Sequence, residues 1–127
     1  YELAIVTNQS GIGRGLYSEK DFILLNSWML SKLRGKLINI LDVFFCPHHP
    51  DDHCICRKPA PGMFQDAIEK YNIEIGKSWM IGDKESDIIA AESIGIKNSI
   101  IFNKKISDSS AKHCVSSLED IINIIKV

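Results

Sequence analysis

The sequence predicts an α/β fold, with a parallel sheet covered by helices on both faces. Short apolar runs alternate four times with segments whose apolar residues recur at helical spacing. Such alternation predicts parallel strand pairing through right-handed crossovers. Three polar loops each follow a predicted strand, and sheets of this kind bind ligands beyond the carboxyl ends of their strands. We therefore expect the three loops to meet at one edge of the sheet.

Two strands and one helix are predicted in the first half of the chain. Residues 3–7 (LAIVT) are a short apolar run, and the glycine-containing loop 8–15 follows it. Ser18 is expected to cap a helix over 19–34, because serine accepts hydrogen bonds from the first helical turn. The apolar face of that helix is predicted to be Phe22, Leu25, Met29 and Leu33. Residues 41–46 (LDVFFC) form the second strand.

The second half of the chain is predicted to continue the alternation. Helices are expected over 61–71 and 86–94, and strands over 78–82 and 99–102. The stripe of the first of these helices is Phe64, Ala67, Ile68 and Tyr71. Ser117 is expected to cap a last helix. The buried face of that helix is predicted to be Leu118, Ile121, Ile122 and Ile125.

Length and composition predict a single domain spanning residues 1–127, with a mass of 14.3 kDa and a net charge of -1. The near-neutral charge argues against a nucleic-acid partner, which usually requires a basic face. No apolar run is long enough for a membrane span, and the first residues do not form a signal peptide. We expect a cytoplasmic monomer with no membrane partner.

The chain opens inside a predicted strand and without an initiator methionine. A native chain rarely begins in the middle of a strand. We therefore expect that the protein has further residues before Tyr1.

The loop CPHHPDDHCICRKP, at 46–59, has the composition of a metal site. Two pairs of ligands with one residue between their members are Cys46 with His48 and Cys54 with Cys56. Three thiolates and one imidazole suit tetrahedral Zn²⁺, and four protein ligands leave no position for water, which indicates a structural ion. His49 and His53 are rival donors that spacing does not exclude. The alternative is a cluster of thiols without a metal.

Arg57 and Lys58 follow the last cysteine of this loop directly. A guanidinium contacts phosphate by two parallel hydrogen bonds, and an ammonium contacts it as a point charge. If a metal holds the loop in place, these cations are held as well, and the pair predicts a phosphate site. An isolated Arg-Lys pair would more often be solvated surface charge.

The loop GDKESD places Asp83 immediately after a predicted strand. Mg²⁺ takes one or two carboxylates and keeps several waters, so Asp83 is a candidate ligand. Lys84 could reach a phosphate oxygen near the same ion. Asp87 is more simply explained as an acidic residue of the first helical turn, where the helix dipole favours it.

The loop TNQSG, at residues 7–11, offers hydroxyls, amides and backbone N–H groups at the end of a predicted strand. Turns of this kind can cradle a phosphate. Asn, Ser and Gly also form ordinary loops, so the motif carries little weight alone.

Together the three loops resemble those of the haloacid dehalogenase (HAD) phosphatase superfamily. Thr7, Lys58 and Asp83 match, in order and context, the hydroxyl residue, the lysine and the acid of that superfamily. The longer strings VTNQSGIGRGLYSEKDF, CPHHP with CICRKPAPGMF, and IGDKESDI are similar to its heptose bisphosphate phosphatase branch. The resemblance extends to about residue 102. Histidinol-phosphate phosphatases share the cysteine loop and are the alternative within the superfamily.

The resemblance implies a Mg²⁺-dependent phosphatase that acts on a small sugar bisphosphate in lipopolysaccharide core biosynthesis. Thr7 and Lys58 would hold the transferring phosphoryl group. The residues implied to contact substrate are Thr7, Asn8, Gln9, Ser10, Arg57, Lys58 and Lys84. Asp83 would ligate Mg²⁺, and the four ligands of the cysteine loop would hold Zn²⁺. The implied nucleophile is an aspartate that forms an aspartyl-phosphate, and a second aspartate two residues later protonates the leaving group.

One part of the superfamily pattern is absent, because no Asp-x-Asp occurs in the 127 residues. Asp51 and Asp52 have the wrong spacing and context. In the superfamily this motif lies on a central strand between those predicted here at 3–7 and 78–82. We therefore expect these residues alone to hydrolyse nothing. Two alternatives are a non-catalytic, zinc-stapled module that binds phosphorylated sugars and a small zinc-finger-like interaction domain. Cys114 has no assigned function, and its simplest interpretation is a small buried hydrophobic residue.

Overall fold

A computed structural model of the chain describes residues 1–102 and 108–126. The chain divides into two compact units, Tyr1–Arg57 (unit 1) and Lys58–Val127 (unit 2). Each unit contains its own parallel sheet. The α/β class with parallel strands is confirmed, while the assignment of all 127 residues to one domain stays a prediction.

Unit 1 contains a two-stranded parallel sheet formed by β1 (Leu3–Asn8) and β2 (Ile40–Cys46). Thr7 pairs with Phe45 in this register, and the last residues of the two strands also pair. Both predicted strands are confirmed. Because parallel strands end at the same edge, the loops that follow β1 and β2 emerge side by side.

The predicted loop at 8–15 contains a short helix, α1 (Ser10–Gly13). The N–H of Arg14 donates to the carbonyl of Ser10 over 2.9 Å and closes this turn. A single turn buries too little apolar surface to show helical periodicity, which is why the sequence predicted only a loop.

Helix α2 (Glu19–Arg34) has the predicted bounds. The Ser18 hydroxyl accepts a hydrogen bond from the Asp21 N–H over 3.0 Å, and the Asp21 carboxylate accepts one from the Ser18 N–H over 2.9 Å. This reciprocal pair satisfies two backbone donors at the helix start, so the predicted cap is confirmed.

The apolar face of α2 differs from the predicted one at a single position. Phe22 is buried, and its ring centroid lies 4.6 Å from that of Phe45 on β2. Leu25, however, is 63% exposed, so its predicted burial is wrong. Leu25 lies about 60° around the helix from Phe22, whereas Met29 and Leu33 lie within about 20° of it. Met29 and Leu33 are accordingly half-buried.

Unit 2 contains three parallel strands in the order β3 (Trp79–Gly82), β4 (Asn98–Phe102) and β5 (His113–Val115). The first two confirm the predicted strands. The third was not predicted, because three residues are too short for a visible alternation. On this strand Val115 is buried and Cys114 is exposed, so the expectation that Cys114 is buried is wrong.

Two helices of unit 2 lie close to their predicted positions, α3 (Gly62–Tyr71) and α4 (Glu85–Ser93). In α3 the predicted Phe64 and Ala67 are buried, and Met63, which was not predicted, is 2% exposed. Strands β3 and β4 both contact α4, which buries Ile88, Ala90 and Ala91 and leaves Ile89 exposed.

The last helix, α5 (Asp120–Ile124), is shorter than predicted. The Ser117 hydroxyl accepts a hydrogen bond from the Glu119 N–H over 3.2 Å, but the residue at the N-cap is Glu119. Leu118 and Ile122 are 62% and 75% exposed, so their predicted burial is wrong. Five residues make less than two turns, and Leu118 precedes them, so one face cannot bury all four predicted residues. None of the described helices has the length and apolarity needed to cross a bilayer.

Candidate functional site

Four metal-ligating side chains of unit 1 converge at the end of β2. One ligand atom from each of Cys46, His48, Cys54 and Cys56 lies within 4.8 Å of all the others. The Cys46 and Cys54 sulfurs are 3.5 Å apart, and His48 Nδ1 lies 3.1 Å from the Cys56 sulfur. Ligands that each lie about 2.0–2.3 Å from a central Zn²⁺ must approach one another to such distances. The donor set and its spacing therefore fit a tetrahedral soft cation.

The structure distinguishes His48 from the two rival histidines. His49 is occupied by the backbone, because its Nδ1 accepts a hydrogen bond from the Asp51 N–H over 3.1 Å. His49 thereby caps a turn of 3-10 helix at Pro50–Asp52. His53 ends this turn in the left-handed region, at φ 50°, and is not part of the converging group. Among the described residues, His48 is the imidazole that joins the three thiols.

The thiols of Cys54 and Cys56 differ in pKa. Burial opposes ionisation of Cys54, but hydrogen bonds from the Arg57 backbone and from the thiols of Cys46 and Cys56 lower its pKa to about 7. Burial, together with the Cys46 and Cys54 sulfurs, raises the pKa of Cys56 to about 12. Neighbouring thiolates repel one another, so all three sulfurs can be ionised together only beside a cation. This electrostatic demand is what a metal ion would satisfy.

The loop after β1 lies against the cysteine loop within unit 1. The Gln9 N–H donates to the Cys46 carbonyl over 2.8 Å. A Cβ on Gly13 would come within 2.3 Å of the His49 backbone nitrogen, so the two backbones are in direct contact there. The expected meeting of these two loops at one edge of the sheet is thus confirmed.

A line of hydrogen bonds runs through the loop after β1. The Tyr17 hydroxyl donates to Oε1 of Gln9 over 2.7 Å, and Nε2 of Gln9 donates to the Thr7 hydroxyl over 3.0 Å. Asn8 ends β1, and Ser10 begins α1. Tyr17 was not predicted as a site residue, because no local sequence pattern connects residues eight positions apart.

Arg57, the last residue of unit 1, has a guanidinium nitrogen, Nη1, that is buried without a hydrogen-bond partner in the described part of the chain. A guanidinium carries five N–H donors, and buried donors in proteins are nearly always satisfied. The nitrogen therefore requires an acceptor such as an anion or a water molecule.

In unit 2, Lys58 forms a buried ion pair. Its ammonium nitrogen lies 2.6 Å from Oδ1 of Asp87, and the two side chains are 9% and 6% exposed. The other carboxylate oxygen, Oδ2, accepts hydrogen bonds from the N–H groups of Asp83 and Lys84 over 3.2 Å and 3.1 Å. The interpretation of Asp87 as a first-turn helix residue is confirmed. Its pairing with Lys58 was missed, since the two residues are far apart in the sequence.

Asp83 and Lys84 lie between the end of β3 and the start of α4, and both are exposed. The Asp83 carboxylate belongs to the class of hard oxygen ligands that Mg²⁺ takes in small numbers. Lys58 is brought to this point by Asp87, which holds the Lys58 ammonium and the Asp83 backbone at once. Unit 2 thus places the buried Lys58 ammonium and the exposed Asp83 side chain near the end of β3.

Glu85 fixes a neighbouring segment of unit 2. Its carboxylate accepts hydrogen bonds from the Ser109 hydroxyl over 2.6 Å and from the Ser110 N–H over 2.9 Å. The hydroxyls of Ser109 and Ser110, together with that N–H, hold the pKa of Glu85 below its usual range. These contacts were not predicted, because the partners of Glu85 lie 24 and 25 residues away in the sequence.

A family model described as HAD-hydrolase-like matches residues 55–120. A D-glycero-alpha-D-manno-heptose-1,7-bisphosphate 7-phosphatase from Photorhabdus laumondii is 50% identical over 103 residues, which cover 76% of this chain and 56% of the relative. A D-glycero-beta-D-manno-heptose-1,7-bisphosphate 7-phosphatase from Pasteurella multocida is 38% identical over 135 residues, covering 100% of this chain and 73% of the relative. The chain thus spans about half to three quarters of the length of these relatives.

A solved structure is also similar. A D,D-heptose 1,7-bisphosphate phosphatase from B. bronchiseptica, crystallised with magnesium and phosphate, superposes with a TM-score of 0.85 at 26% identity. The match covers 98% of this chain and 75% of that protein. The parallel α/β architecture, the family model and the extensive identity to the two relatives agree. The chain therefore belongs to the heptose-1,7-bisphosphate 7-phosphatase family of HAD-like hydrolases.

Proposed function

We propose that this chain supplies the phosphate-binding part of a Mg²⁺-dependent phosphatase that removes the 7-phosphate of D-glycero-D-manno-heptose 1,7-bisphosphate. The relatives' names support the substrate, and the proposal includes a place in heptose supply for lipopolysaccharide cores. The observation that carries it is the Asp87 carboxylate, which holds the Lys58 ammonium beside the Asp83 backbone. A cation and a carboxylate at one strand end suit a phosphate ester that shares a metal ion.

Cationic and hydroxyl side chains would bind the phosphoryl group. Lys58 would contact the transferring phosphoryl group together with Thr7, and their function is to offset negative charge on its oxygens. Arg57 would bind substrate through its guanidinium, and the buried Nη1 without a protein partner supports this role. The other proposed substrate contacts are Asn8, Gln9, Ser10 and Lys84.

Two metals belong to the proposal. Asp83 would hold Mg²⁺, which when bound supplies positive charge to the phosphoryl oxygens. The four ligands at the end of β2 would hold a structural Zn²⁺, and their approach to within 4.8 Å of one another supports this. The zinc would fix the loop that ends in Arg57.

The nucleophile of the proposed reaction is an aspartate from outside these 127 residues, since they contain no Asp-x-Asp. It would attack the phosphorus while a second aspartate protonates the departing sugar oxygen, which gives the free sugar hydroxyl and an aspartyl-phosphate. Water would then hydrolyse the aspartyl-phosphate and release phosphate. In the described part of the chain β3 is an edge strand, and Ile81 on it is 41% exposed, which supports the addition of a further strand there. On this proposal the 127 residues alone are inactive.

The test is a phosphatase assay of the full-length gene product. Both anomers of heptose 1,7-bisphosphate and histidinol phosphate are supplied with and without Mg²⁺, and ³¹P NMR identifies which phosphate leaves. We expect Mg²⁺-dependent release of the 7-phosphate from at least one anomer. Release of the 1-phosphate, faster hydrolysis of histidinol phosphate, or turnover by the 127-residue chain would each overturn part of the proposal.

A further inference from the structure

We infer that Tyr17 is a positioning residue that sets the direction of the Thr7 hydroxyl proton. The inference rests on the proposed role of Thr7 in phosphoryl binding. It is carried by the line of hydrogen bonds in which Tyr17 donates to Gln9 over 2.7 Å and Gln9 donates to Thr7 over 3.0 Å.

The two ends of the Gln9 amide form opposite kinds of hydrogen bond. One end is an acceptor and the other a donor, so fixing one end fixes the other. A phenol hydroxyl is a better donor and a poorer acceptor than the aliphatic hydroxyl of threonine, so Tyr17 favours the acceptor end of the amide. It donates to Oε1, and this leaves Nε2 facing Thr7. The opposite amide orientation would present Oε1 to Thr7 and draw the hydroxyl proton to it.

The orientation of the Gln9 amide determines which hydrogen bonds the Thr7 hydroxyl can form. A hydroxyl has one proton and two acceptor lone pairs. Because Thr7 accepts from Gln9, its proton is left for another acceptor, such as a phosphoryl oxygen. Tyr17 therefore keeps Thr7 a donor toward the phosphate without touching the phosphate itself.

The fold places Tyr17 where it can do this. A Cβ on Gly11 would lie 2.1 Å from Cε1 of Tyr17, so the ring sits directly against the glycine backbone. Gly15 has a φ of +73°, in the left-handed region that favours glycine, and turns the chain back after α1. The Leu16 N–H then donates to the Gly11 carbonyl over 2.9 Å.

The phenol group is poorly suited to a role in stability alone. Tyr17 is 36% exposed, and its bond to Gln9 lies at the surface, where water competes for both partners. Tyr17→Phe removes only the hydroxyl and leaves the ring against Gly11. The variant therefore separates the orientation of Gln9 from packing.

The experiment is a double-mutant cycle in the full-length protein with Tyr17→Phe and Thr7→Val. We expect Tyr17→Phe to lower kcat about 3- to 10-fold, the range for loss of one partly exposed hydrogen bond, with Tm unchanged within about 1 °C. In the Thr7→Val background, where no hydroxyl remains, Tyr17→Phe should have no further effect. An equal effect in both backgrounds, or none in the wild type, overturns the inference.

A second readout keeps this test independent of the proposed substrate. Binding of inorganic phosphate with Mg²⁺, measured by calorimetry, should weaken about 3- to 10-fold in Tyr17→Phe and not at all in Thr7→Val/Tyr17→Phe relative to Thr7→Val. If the protein hydrolyses no heptose bisphosphate, the proposed function fails while this binding cycle still decides the role of Tyr17. Additive losses of phosphate affinity would contradict it.

Discussion

The ammonium nitrogen of Lys58 lies 2.6 Å from one carboxylate oxygen of Asp87, and the second oxygen accepts the backbone N–H groups of Asp83 and Lys84. One buried carboxylate therefore connects the lysine after the cysteine loop to the turn after β3. The contact joins the basic residues that follow the cysteine loop to the GDKESD loop. Its removal should affect stability and phosphate binding together.

Asp87→Ala should destabilise the protein by about 3–5 kcal/mol, because it removes the carboxylate that pairs with the buried Lys58 ammonium. Asp87→Asn should cost less, since an amide oxygen can still accept from Asp83 and Lys84. Chemical denaturation of both variants measures the free energies of unfolding. Glu92→Ala, on the exposed side of α4, is the matched control and should change little. Equal stability of Asp87→Ala and the wild type would show that the pair is unimportant.

Gly82→Ala should disturb the same carboxylate from the other side. A Cβ at Gly82 would lie 2.5 Å from both Cβ and Oδ2 of Asp87, so the carboxylate must move. We expect a loss of about 1–3 kcal/mol in unfolding free energy, as for other overpacked sites, and weaker binding of phosphate. Gly76→Ala is the control, because a Cβ there meets nothing within 4 Å. Similar losses in the two variants would mean that the close approach to Asp87 is not the cause.

Cys56→Ser should abolish zinc binding, since oxygen replaces one of three thiolates. Elemental analysis of the purified protein should give about one zinc per chain for the wild type and little for the variant. Chelation should likewise lower the Tm of the wild type. Cys114→Ser, at an exposed position on β5, is the control that keeps the metal.

The choice among the histidines gives a second prediction about the same metal. His48→Ala should lose zinc, whereas His49→Ala should retain it, because His49 Nδ1 serves the Asp51 N–H. The same elemental analysis decides the point. Retention of zinc by His48→Ala and its loss from His49→Ala would reverse the assignment of the fourth ligand.

The start of α2 predicts a measurable pKa. The backbone N–H and the hydroxyl of Ser18 hold the pKa of Asp21 below 3.8. A carboxyl whose pKa is lowered by folding stabilises the fold above 3.8, and this contribution is lost as the pH falls through the folded pKa. Ser18→Ala removes the hydroxyl but keeps the N–H, so we expect the pKa of Asp21 to rise part of the way toward 3.8. An NMR titration that shows no rise would contradict the role of the hydroxyl.

Local signals in the sequence were enough for most of the secondary structure. Ser18 and Asp21 specify the start of α2 within a few residues, and such caps are readable because their partners are close in sequence. Strand β5 was missed because three residues are too few to show a period of two. The burial of Leu25 was predicted wrongly because a residue three positions after Phe22 lies about 60° away from it around the helix.

The residues of the candidate site could be predicted from the sequence, but the contacts between distant side chains could not. The spacing of the ligands predicted the group that converges, Cys46, His48, Cys54 and Cys56. It did not exclude the other two histidines of the loop as ligands. The pairing of Lys58 with Asp87 depends on how α4 packs after β3, which no local motif encodes. The bond from Tyr17 to Gln9 likewise arises from a turn in the chain.

The central claim, that Lys58 stabilises a transferring phosphoryl group, is tested most directly in a variant that keeps the fold. Lys58→Met/Asp87→Asn removes both buried charges together, so its stability should stay closer to that of the wild type than that of Asp87→Ala. The measurement is kcat/KM for Mg²⁺-dependent release of phosphate from heptose 1,7-bisphosphate by the full-length protein. We predict a fall of about 10²–10³-fold or more in the folded double variant. A value within a few-fold of the wild type would contradict the account.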